Sequence, residues 1–493
     1  KIGLNVGEGT TNFQDLSYHV FLPTRKSGSI SIFGFWGKSD QHFDSPADSS
    51  KWTSEWDRYG GRYLGNVGIT GLSHQIQLGS KTLLKSSLAW SIQELGYREL
   101  YAVNPDSLIT NMNEKFTTRK WIFSSTVNHQ VNRKNMIRAG IVLNEINFDF
   151  HKNSREHTNE PIEERLSIRD QTQIIQAFAQ WQYKPTPQLS LTGGINYQQL
   201  LLNNSSALEP RLAMKWDVGP KSSIGLGYGL HSQAQAMGIY FARVQDESGK
   251  WTQPNRNLGL TRSHHFVLSF QQLLGKNFRL KSELYYQQLF NVPVSTYDTS
   301  SFSTLNLIQD IVTDPLVNTG KGKNYGLEVS VEKQLRNYWY LLFSNSFYQS
   351  RYTASDGRER DTRFNGKYAS TLTAGKEFTK PGNRRSYGAN LKIVYAGGFR
   401  ETPIDREASA SSGYTRYIEN EAYTISQPAY FRTDIRLSVK WNKSRHTSIL
   451  SLDVQNITNR KNIYNRYYDN LKGEIKTNYQ TGIIPVINYS IEF

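Results

Sequence analysis

Apolar and polar residues alternate with a period of two along much of this chain. The stretch FRTDIRLSVKW (431–441) shows the pattern most clearly: one side carries apolar residues and the other carries arginine, aspartate, serine and lysine. The same alternation occurs in NFRLKSELYYQ (277–287), in ILSLDVQN (449–456) and in the terminal IIPVINYSIEF (483–493). A period of two is that of a β-strand, so the pattern predicts strands with one apolar and one charged face.

Nine short turns divide these predicted strands into hairpins. They lie at 25–28, 79–82, 132–135, 185–188, 219–222, 275–277, 335–337, 380–385 and 442–445, and each contains Gly, Pro, Asn or Ser. Long polar stretches separate the hairpins, at 45–61, 104–116, 152–168, 237–260, 294–323, 355–362 and 401–428. Short turns on one side and long connections on the other are typical of an outer-membrane β-barrel. Two strands for each short turn, plus the terminal strand, predict about 19 strands.

The charged faces indicate which side of the sheet meets lipid. A cation facing hydrocarbon at the midplane costs roughly 2–4 kcal/mol, so Arg432, Arg436 and Lys440 are expected to face inward, toward water. A soluble β-sandwich also has alternating strands, but here the pattern recurs along nearly the whole chain without a helix to cover the apolar face. We therefore predict an all-β fold, a transmembrane antiparallel β-barrel.

Composition narrows the class further. No stretch approaches 18 consecutive apolar residues, which excludes a helical membrane span. The chain has no cysteine and a net charge of +16, and this charge is spread over the turns rather than gathered in one run. That distribution favours a membrane surface over a nucleic acid as the partner of the basic residues. The basic turns have two interpretations, contact with anionic headgroups on the periplasmic side or ordinary solubility.

Several stretches resemble the TonB-dependent outer-membrane receptors, in particular those of Bacteroidetes with a carboxypeptidase-like regulatory domain. They are TNFQDLSYHVFLP (11–23), GLGYGLHSQ (225–233), SELYYQQLFNVPV (282–294), NTGKGKNYGLEVSVEK (318–333), RDTRFNGKYASTLTAGKEF (360–378), YAGGFRETPIDREAS (395–409), RTDIRLSVKW (432–441), DVQNITNRKNIY (453–464) and NYSIEF (488–493). The resemblance implies a barrel of 22 strands, of which the fourth to the twenty-second are present, with the plug domain absent from this chain. Residues 1–11 would then be an extracellular loop remnant and 12–493 the barrel.

The same resemblance implies partners, a location and an assembly signal. Tyr489, Ile491 and Phe493 look like the C-terminal signal that the barrel-assembly machinery recognises. The expected location is the outer membrane of a Gram-negative bacterium, in contact with its lipid and lipopolysaccharide. The expected partner is the TonB complex, through an N-terminal part that is missing here, and a surface-exposed lipoprotein is a further candidate.

The implied function is import: a ligand binds the extracellular loops and crosses with energy from the inner membrane. Two alternatives remain open, a passive porin and a non-transporting docking barrel for a surface lipoprotein or an outer-membrane complex. We see no catalytic motif, metal-ligand spacing or cofactor-binding pattern, and we predict neither enzyme activity nor a cofactor. Iron chelates, cobalamin, peptides and glycans are all compatible with the sequence.

Candidate ligand contacts are the residues of the long connections where aromatic and charged groups occur together. Three groups meet this description: Trp52, Trp56, Arg58 and Tyr59; Tyr240, Arg243, Trp251, Asn255 and Arg256; and Arg358, Arg360 and Arg363. The alternative interpretation assigns these aromatic residues to the outer girdle of the barrel and the arginines to lipopolysaccharide phosphates.

Overall fold

The computed structural model describes residues 10–24, 26–46, 48–155, 158, 160–245, 248–308, 312, 314–379 and 382–493. Its main feature is one antiparallel sheet of 20 strands. The strands of this sheet are β1 (Thr10–Thr24), β2 (Gly28–Phe43), β3 (Tyr59–Leu78), β4 (Thr82–Asn104), β5 (Ser107–Asn132), β6 (Asn135–Ser154), β7 (Glu163–Thr186), β8 (Leu189–Leu200), β9 (Ser205–Gly219), β10 (Ser222–Gln233), β13 (Thr261–Leu274), β14 (Phe278–Ser295), β15 (Leu316–Arg336), β16 (Trp339–Thr353), β17 (Glu359–Asp361), β18 (Tyr368–Thr379), β19 (Arg385–Ala396), β22 (Tyr430–Asn442), β23 (Thr447–Gln455) and β26 (Ile484–Glu492).

The remaining elements are short and lie in the long connections. They are the strands β11 (Val244–Gln245), β12 (Trp251–Thr252), β20 (Arg400–Glu401), β21 (Ile425–Ser426), β24 (Ile463–Asp469) and β25 (Glu474–Tyr479), the α-helices α1 (Met237–Tyr240) and α2 (Arg406–Ser412), and the 3-10 helices Ser49–Lys51, Glu55–Arg58, Pro254–Asn257, Thr304–Asn306 and Glu419–Glu421. No helix in the described part of the chain is long or apolar enough to cross a bilayer.

The predicted hairpins are confirmed. All nine short turns join consecutive strands of the sheet, and all nine lie at the same edge, which we call the turn edge. The opposite edge, from which the long connections emerge, is the loop edge. The three-residue β17 lies within a connection, so 19 of the 20 strands build the wall, as predicted. The described residues contain no plug domain.

One predicted connection is wrong. Residues 104–116 do not form a long loop, because β4 and β5 continue to a two-residue turn at 105–106. Tyr101 pairs with Ile109 and Ala102 with Leu108, and the side chains of Tyr101 and Ala102 are buried beyond the bilayer. The first strand also starts at Thr10, two residues before the predicted boundary. Residues 1–9 of the predicted loop remnant lie outside the described part.

The faces of the sheet agree with a membrane wall near the turn edge. Leu284 and Leu437 are 56% and 52% exposed, on the side predicted to meet lipid. On the other side Asp434 accepts from Arg432 at 2.7 Å and Glu283 pairs with Lys281 at 2.6 Å, as expected for charges in an aqueous interior.

Charges on the outer face occur where the wall leaves the bilayer. Lys333 faces outward near the turn edge, where its ammonium donates to the carbonyls of Arg336 and Trp339 at 2.8 and 2.6 Å. Toward the loop edge, Asp40 and Arg62 pair on the face that carries Trp36. The strands thus extend above the membrane at the loop edge, as their length predicts.

The sheet curls so that its two ends approach each other. No backbone pairing joins β1 to β26 within the described residues. At the loop edge, however, Asp469 accepts from the amide of Glu55 at 3.3 Å and Lys476 donates to the carbonyl of Thr53 at 2.5 Å. Loops from opposite ends of the chain therefore meet over the barrel mouth.

A buried apolar cluster lies at the same end. Phe148 and Phe150 point inward from β6 and pack with Leu166, Phe241 and Leu258. The connection between β10 and β13 thus folds over the inner wall and narrows the mouth.

Candidate ligand pocket at the barrel mouth

A cavity of about 530 Å³ opens at the loop edge, and we call it the mouth pocket. Five parts of the chain build it: the 3-10 helix Glu55–Arg58 with the start of β3, the end of β4 with the start of β5, Thr158 in the connection between β6 and β7, residues 412–415 at the end of α2, and residues 467–470 at the end of β24. Six aromatic residues line it, together with the carboxylates of Glu55 and Glu99: Trp56, Tyr59, Tyr101, Tyr414, Tyr467 and Tyr468.

The aromatic rings of the mouth pocket contact one another across these segments. The Trp56 ring lies 5.9 Å from that of Tyr59 and 5.7 Å from that of Tyr467, measured between ring centroids. Tyr59 meets Tyr101 edge to face at 5.1 Å. Trp56 is nevertheless 46% exposed, so part of its surface remains available to a ligand. Such geometry holds the rings in place and leaves an open aromatic surface.

The two carboxylates have different surroundings. Glu55 accepts from the Tyr101 hydroxyl at 2.7 Å and lies 3.6 Å from the Arg58 guanidinium. Glu99 accepts from the Tyr97 hydroxyl at 2.7 Å and from the Asn111 amide at 2.5 Å. Among the described residues Glu99 has no cationic partner, so its charge faces the pocket uncompensated.

Burial raises the pKa of the Tyr101 hydroxyl well above its usual range, and the hydrogen bond to Glu55 raises it further. Burial also raises the pKa of Tyr59. Both residues lie beyond the bilayer at the loop edge. They therefore remain neutral hydroxyls at every physiological pH and contribute no negative charge to the pocket.

The first predicted group converges on this pocket. Trp56 and Tyr59 line it directly, whereas Arg58 and Trp52 lie behind it. The Arg58 guanidinium stacks on Tyr101 at 4.5 Å and on Trp52 at 5.3 Å, and it donates to the carbonyls of Ala102 and Val103. Arg58 thus supports the wall of the pocket, and ligand contact by these four residues stays a prediction.

The second predicted group packs against the inner wall. Tyr240 and Asn255 are fully buried, and the Asn255 side chain bonds the backbone of Asp314 and Leu316. Within the same group Arg256 lies 3.6 Å from Asp170, and Arg243 stacks on Trp251 at 5.1 Å. These contacts fasten the connection to the barrel, and only Trp251, at 53% exposure, offers a largely open side chain.

The third predicted group belongs to the connection between β16 and β18. Arg360 and Asp356 form a bidentate pair at 2.9 and 2.6 Å, with side chains only 9% and 11% exposed. Burial raises the pKa of Asp356, but the hydrogen bonds from Arg360 outweigh it and hold this pKa below its usual value. Arg358 is exposed and Arg363 stacks on Phe364 at 5.8 Å. Across the described residues, no hydrogen bond, ion pair or ring contact joins the three predicted groups.

The predicted assembly signal lies on the outer face of the last strand. Tyr489, Ile491 and Phe493 are 59%, 45% and 99% exposed. A receptor for the signal has access to these side chains, and the role itself remains a prediction. No group of three or more potential metal ligands occurs among the described residues.

The sequence did not predict the two lining carboxylates or four of the aromatic residues: Glu55, Glu99, Tyr101, Tyr414, Tyr467 and Tyr468. Two aromatic stretches were a usable signal: YRELY (97–101) lies next to the predicted connection at 104–116, and NRYYDN (465–470) lies between β23 and β26. Their meeting with residues 55–59 depends on how the barrel curls, which periodicity does not reveal.

A curled antiparallel wall with an apolar exterior, a charged interior and a loop-built pocket at its mouth defines an outer-membrane receptor barrel. Residues 5–457 match the model of the family described as TonB dependent receptor-like, beta-barrel. The chain therefore belongs to this family. Membership indicates transport across the outer membrane of a Gram-negative bacterium, and the family consists of receptors rather than enzymes.

Solved structures of similar fold agree with this assignment. BauA, the ferric preacinetobactin receptor from Acinetobacter baumannii, is 12% identical with a TM-score of 0.65, over 98% of this chain and 73% of that one. YddB, an outer membrane transporter from Escherichia coli, is 13% identical with a TM-score of 0.65, over 98% and 76%. FpvA of P. aeruginosa, bound to heterologous pyoverdines, is 11% identical with a TM-score of 0.66, over 98% and 64%. At such low identity the likeness shows the fold alone. No curated protein matches the sequence significantly.

Proposed function

We propose that this chain is the barrel of an energised importer whose ligand first binds in the mouth pocket. The main observation in support of this proposal is that segments far apart in sequence converge on one aromatic cavity at the loop edge. Aromatic surfaces with a few convergent hydrogen-bonding groups are typical of small-molecule sites. Of the second and third predicted groups, Trp251 and Arg358 have exposed side chains and would act as further contacts around this pocket.

The lining favours a neutral or cationic ligand. Among the described residues, the lining contains the carboxylates of Glu55 and Glu99 but no lysine, arginine or histidine. A polyanionic chelate would meet uncompensated negative charge in this cavity, whereas a neutral ring or an ammonium group would find aromatic faces and acceptors. Neutral iron chelates, cobalamin and glycans stay open as ligands.

The proposed partners follow from the same function. We place the barrel in a Bacteroidetes-type receptor with a carboxypeptidase-like regulatory domain, driven by the TonB complex. The barrel-assembly machinery would insert it through Tyr489, Ile491 and Phe493. A surface-exposed lipoprotein would act over the loop edge, and lipopolysaccharide would surround the wall.

An uptake experiment separates import from its alternatives. Cells that express the full receptor are given a labelled neutral ferric trihydroxamate, cyanocobalamin or a maltooligosaccharide, with and without a functional TonB complex. Accumulation of one probe that requires both the receptor and TonB supports import. Accumulation that is equal without TonB would indicate a passive porin, and surface binding without accumulation a docking barrel.

A further inference from the structure

The turn edge carries a ring of basic side chains without counter-ions. The residues that connect the nine hairpins include no aspartate or glutamate. Their described basic residues, with those that directly flank them, are Lys26, Lys81, Arg133, Lys134, Lys221, Lys276, Arg336, Arg384, Arg385, Lys443 and Arg445. Arg25 and Lys380 belong to the same turns in sequence but lie outside the described residues.

The loop edge is organised in the opposite way. There, Arg400 pairs with Asp361 at 2.9 Å, Arg466 with Glu401 at 3.3 Å and Lys476 with Asp469 at 2.8 Å. None of the described basic residues of the turn edge forms an ion pair. Lys81 and Arg336 bond only neutral groups, the Val131 carbonyl and the Asn277 amide oxygen. The turn edge thus carries basic side chains that have no ion-pair partner among the described residues.

An aromatic collar next to this ring fixes its depth in the membrane. Trp181, Trp216, Phe378 and Tyr387 point outward within a few residues of the turns, each about half exposed. Outward aromatic residues mark the level of the lipid headgroups. The basic side chains begin just beyond this level, at the depth of the phosphates.

We propose that the turn edge binds anionic phospholipid headgroups of the periplasmic leaflet. Lysine and arginine near a negatively charged leaflet are attracted to it and neutralise its phosphates. Basic residues occur at eight of the nine turns of the described wall, as contact with a surrounding lipid annulus requires, whereas a protein partner would need one continuous patch. This inference does not depend on the ligand or on import.

The test compares the lipid selectivity of the purified full receptor with that of three variants. The receptor is reconstituted in phosphatidylethanolamine vesicles that contain phosphatidylglycerol, and spin-labelled lipids report which headgroup is retained at the protein. The first variant neutralises two turns by Arg133→Gln, Lys134→Gln, Arg384→Gln and Arg385→Gln. The matched control removes the same charge from the loop edge by Arg406→Gln, Arg460→Gln, Lys461→Gln and Lys472→Gln.

The wild type should prefer phosphatidylglycerol by about fivefold. The turn variant should lose most of this preference and the control should keep it. Added salt should weaken the preference of the wild type, because salt screens the charges. A third variant with Arg133→Lys, Arg384→Lys and Arg385→Lys keeps the charge and should behave as the wild type, which separates charge from misfolding. Equal selectivity in the turn and loop variants, or none in the wild type, would overturn the proposal.

Discussion

At the scale of single residues, the mouth pocket depends on side chains that meet only in the folded barrel. Trp56 and Tyr59 were predictable because aromatic and charged residues cluster in their connection. Glu99 and Tyr101 were not, because both lie on an extended strand whose position relative to the loops follows from curvature. Binding residues contributed by several segments leave little local signal in one sequence.

Replacing Glu99 by glutamine tests the charge of the pocket. Glutamine keeps the size and one acceptor, so the fold should persist. Binding of an organic cation such as benzyltrimethylammonium, followed by tryptophan fluorescence, should weaken about fivefold to tenfold, since the lost term is a charge interaction. Glu283→Gln, in the lumen wall, is the matched control and should leave this binding unchanged. Equal affinities in the wild type and Glu99→Gln would contradict the assignment.

Gly398 tests how closely the chain packs at the loop edge. A Cβ atom there would lie 1.9 Å from the carbonyl oxygen of Gln427, so Gly398→Ala must displace backbone. We expect the free energy of unfolding in urea to fall by about 1–3 kcal/mol. Gly219→Ala introduces a Cβ with no atom within 4 Å and should change the free energy of unfolding little. A similar loss in both variants would refute the packing argument.

The Asp356–Arg360 pair should make its connection sensitive to acid. The pKa of Asp356 is below the ordinary value of 3.8, so the pair stabilises the folded loop above that pH, and this stability is lost as pH falls through the lowered pKa. Hydrogen exchange of residues 353–368, corrected for intrinsic rates, should accelerate below about pH 4. Asp356→Asn should show fast exchange at every pH. Acid-independent protection in the wild type would be inconsistent with this role.

At the scale of elements, strand periodicity and turn residues predicted the fold well. The nine turns and the 19 wall strands depend on local chemistry: Gly, Pro and Asn at tight turns, and strict alternation between them. The one failure, at 104–116, has a physical cause. Polar residues there continue the strands above the bilayer, where the outer face meets water and alternation no longer marks the membrane.

The faces of β22 give a prediction about single strands. Leu437→Arg would place a cation on the lipid side and should reduce the free energy of unfolding in lipid by roughly 2–4 kcal/mol. Ser438→Arg, its neighbour on the aqueous side, should cost well below 1 kcal/mol. Unfolding of both variants from phospholipid vesicles in guanidinium measures the difference. Comparable losses would show that the strand is not oriented as described.

At the scale of the whole molecule, the two edges of the barrel differ in how their charged side chains are arranged. Ion pairs tie the loops together over the mouth, while the turn edge carries unpaired cations beside an aromatic collar. The apolar band between them is the exposed outer surface of the sheet, which in water would be an unusually large hydrophobic patch. All three features are consistent with one orientation in the outer membrane.

The most direct test of this orientation uses the absence of cysteine from this chain, since each introduced thiol is then unique within it. Single cysteines at 436, 437, 439 and 440 are placed in the receptor in native outer-membrane vesicles. A membrane-impermeant maleimide, added after the vesicles are opened, should label Arg436→Cys and Lys440→Cys. A lipid-soluble maleimide alone should reach Leu437→Cys and Val439→Cys. Alternation in this sense is the predicted result, and the reverse pattern, or uniform labelling by the impermeant reagent, would contradict the membrane barrel.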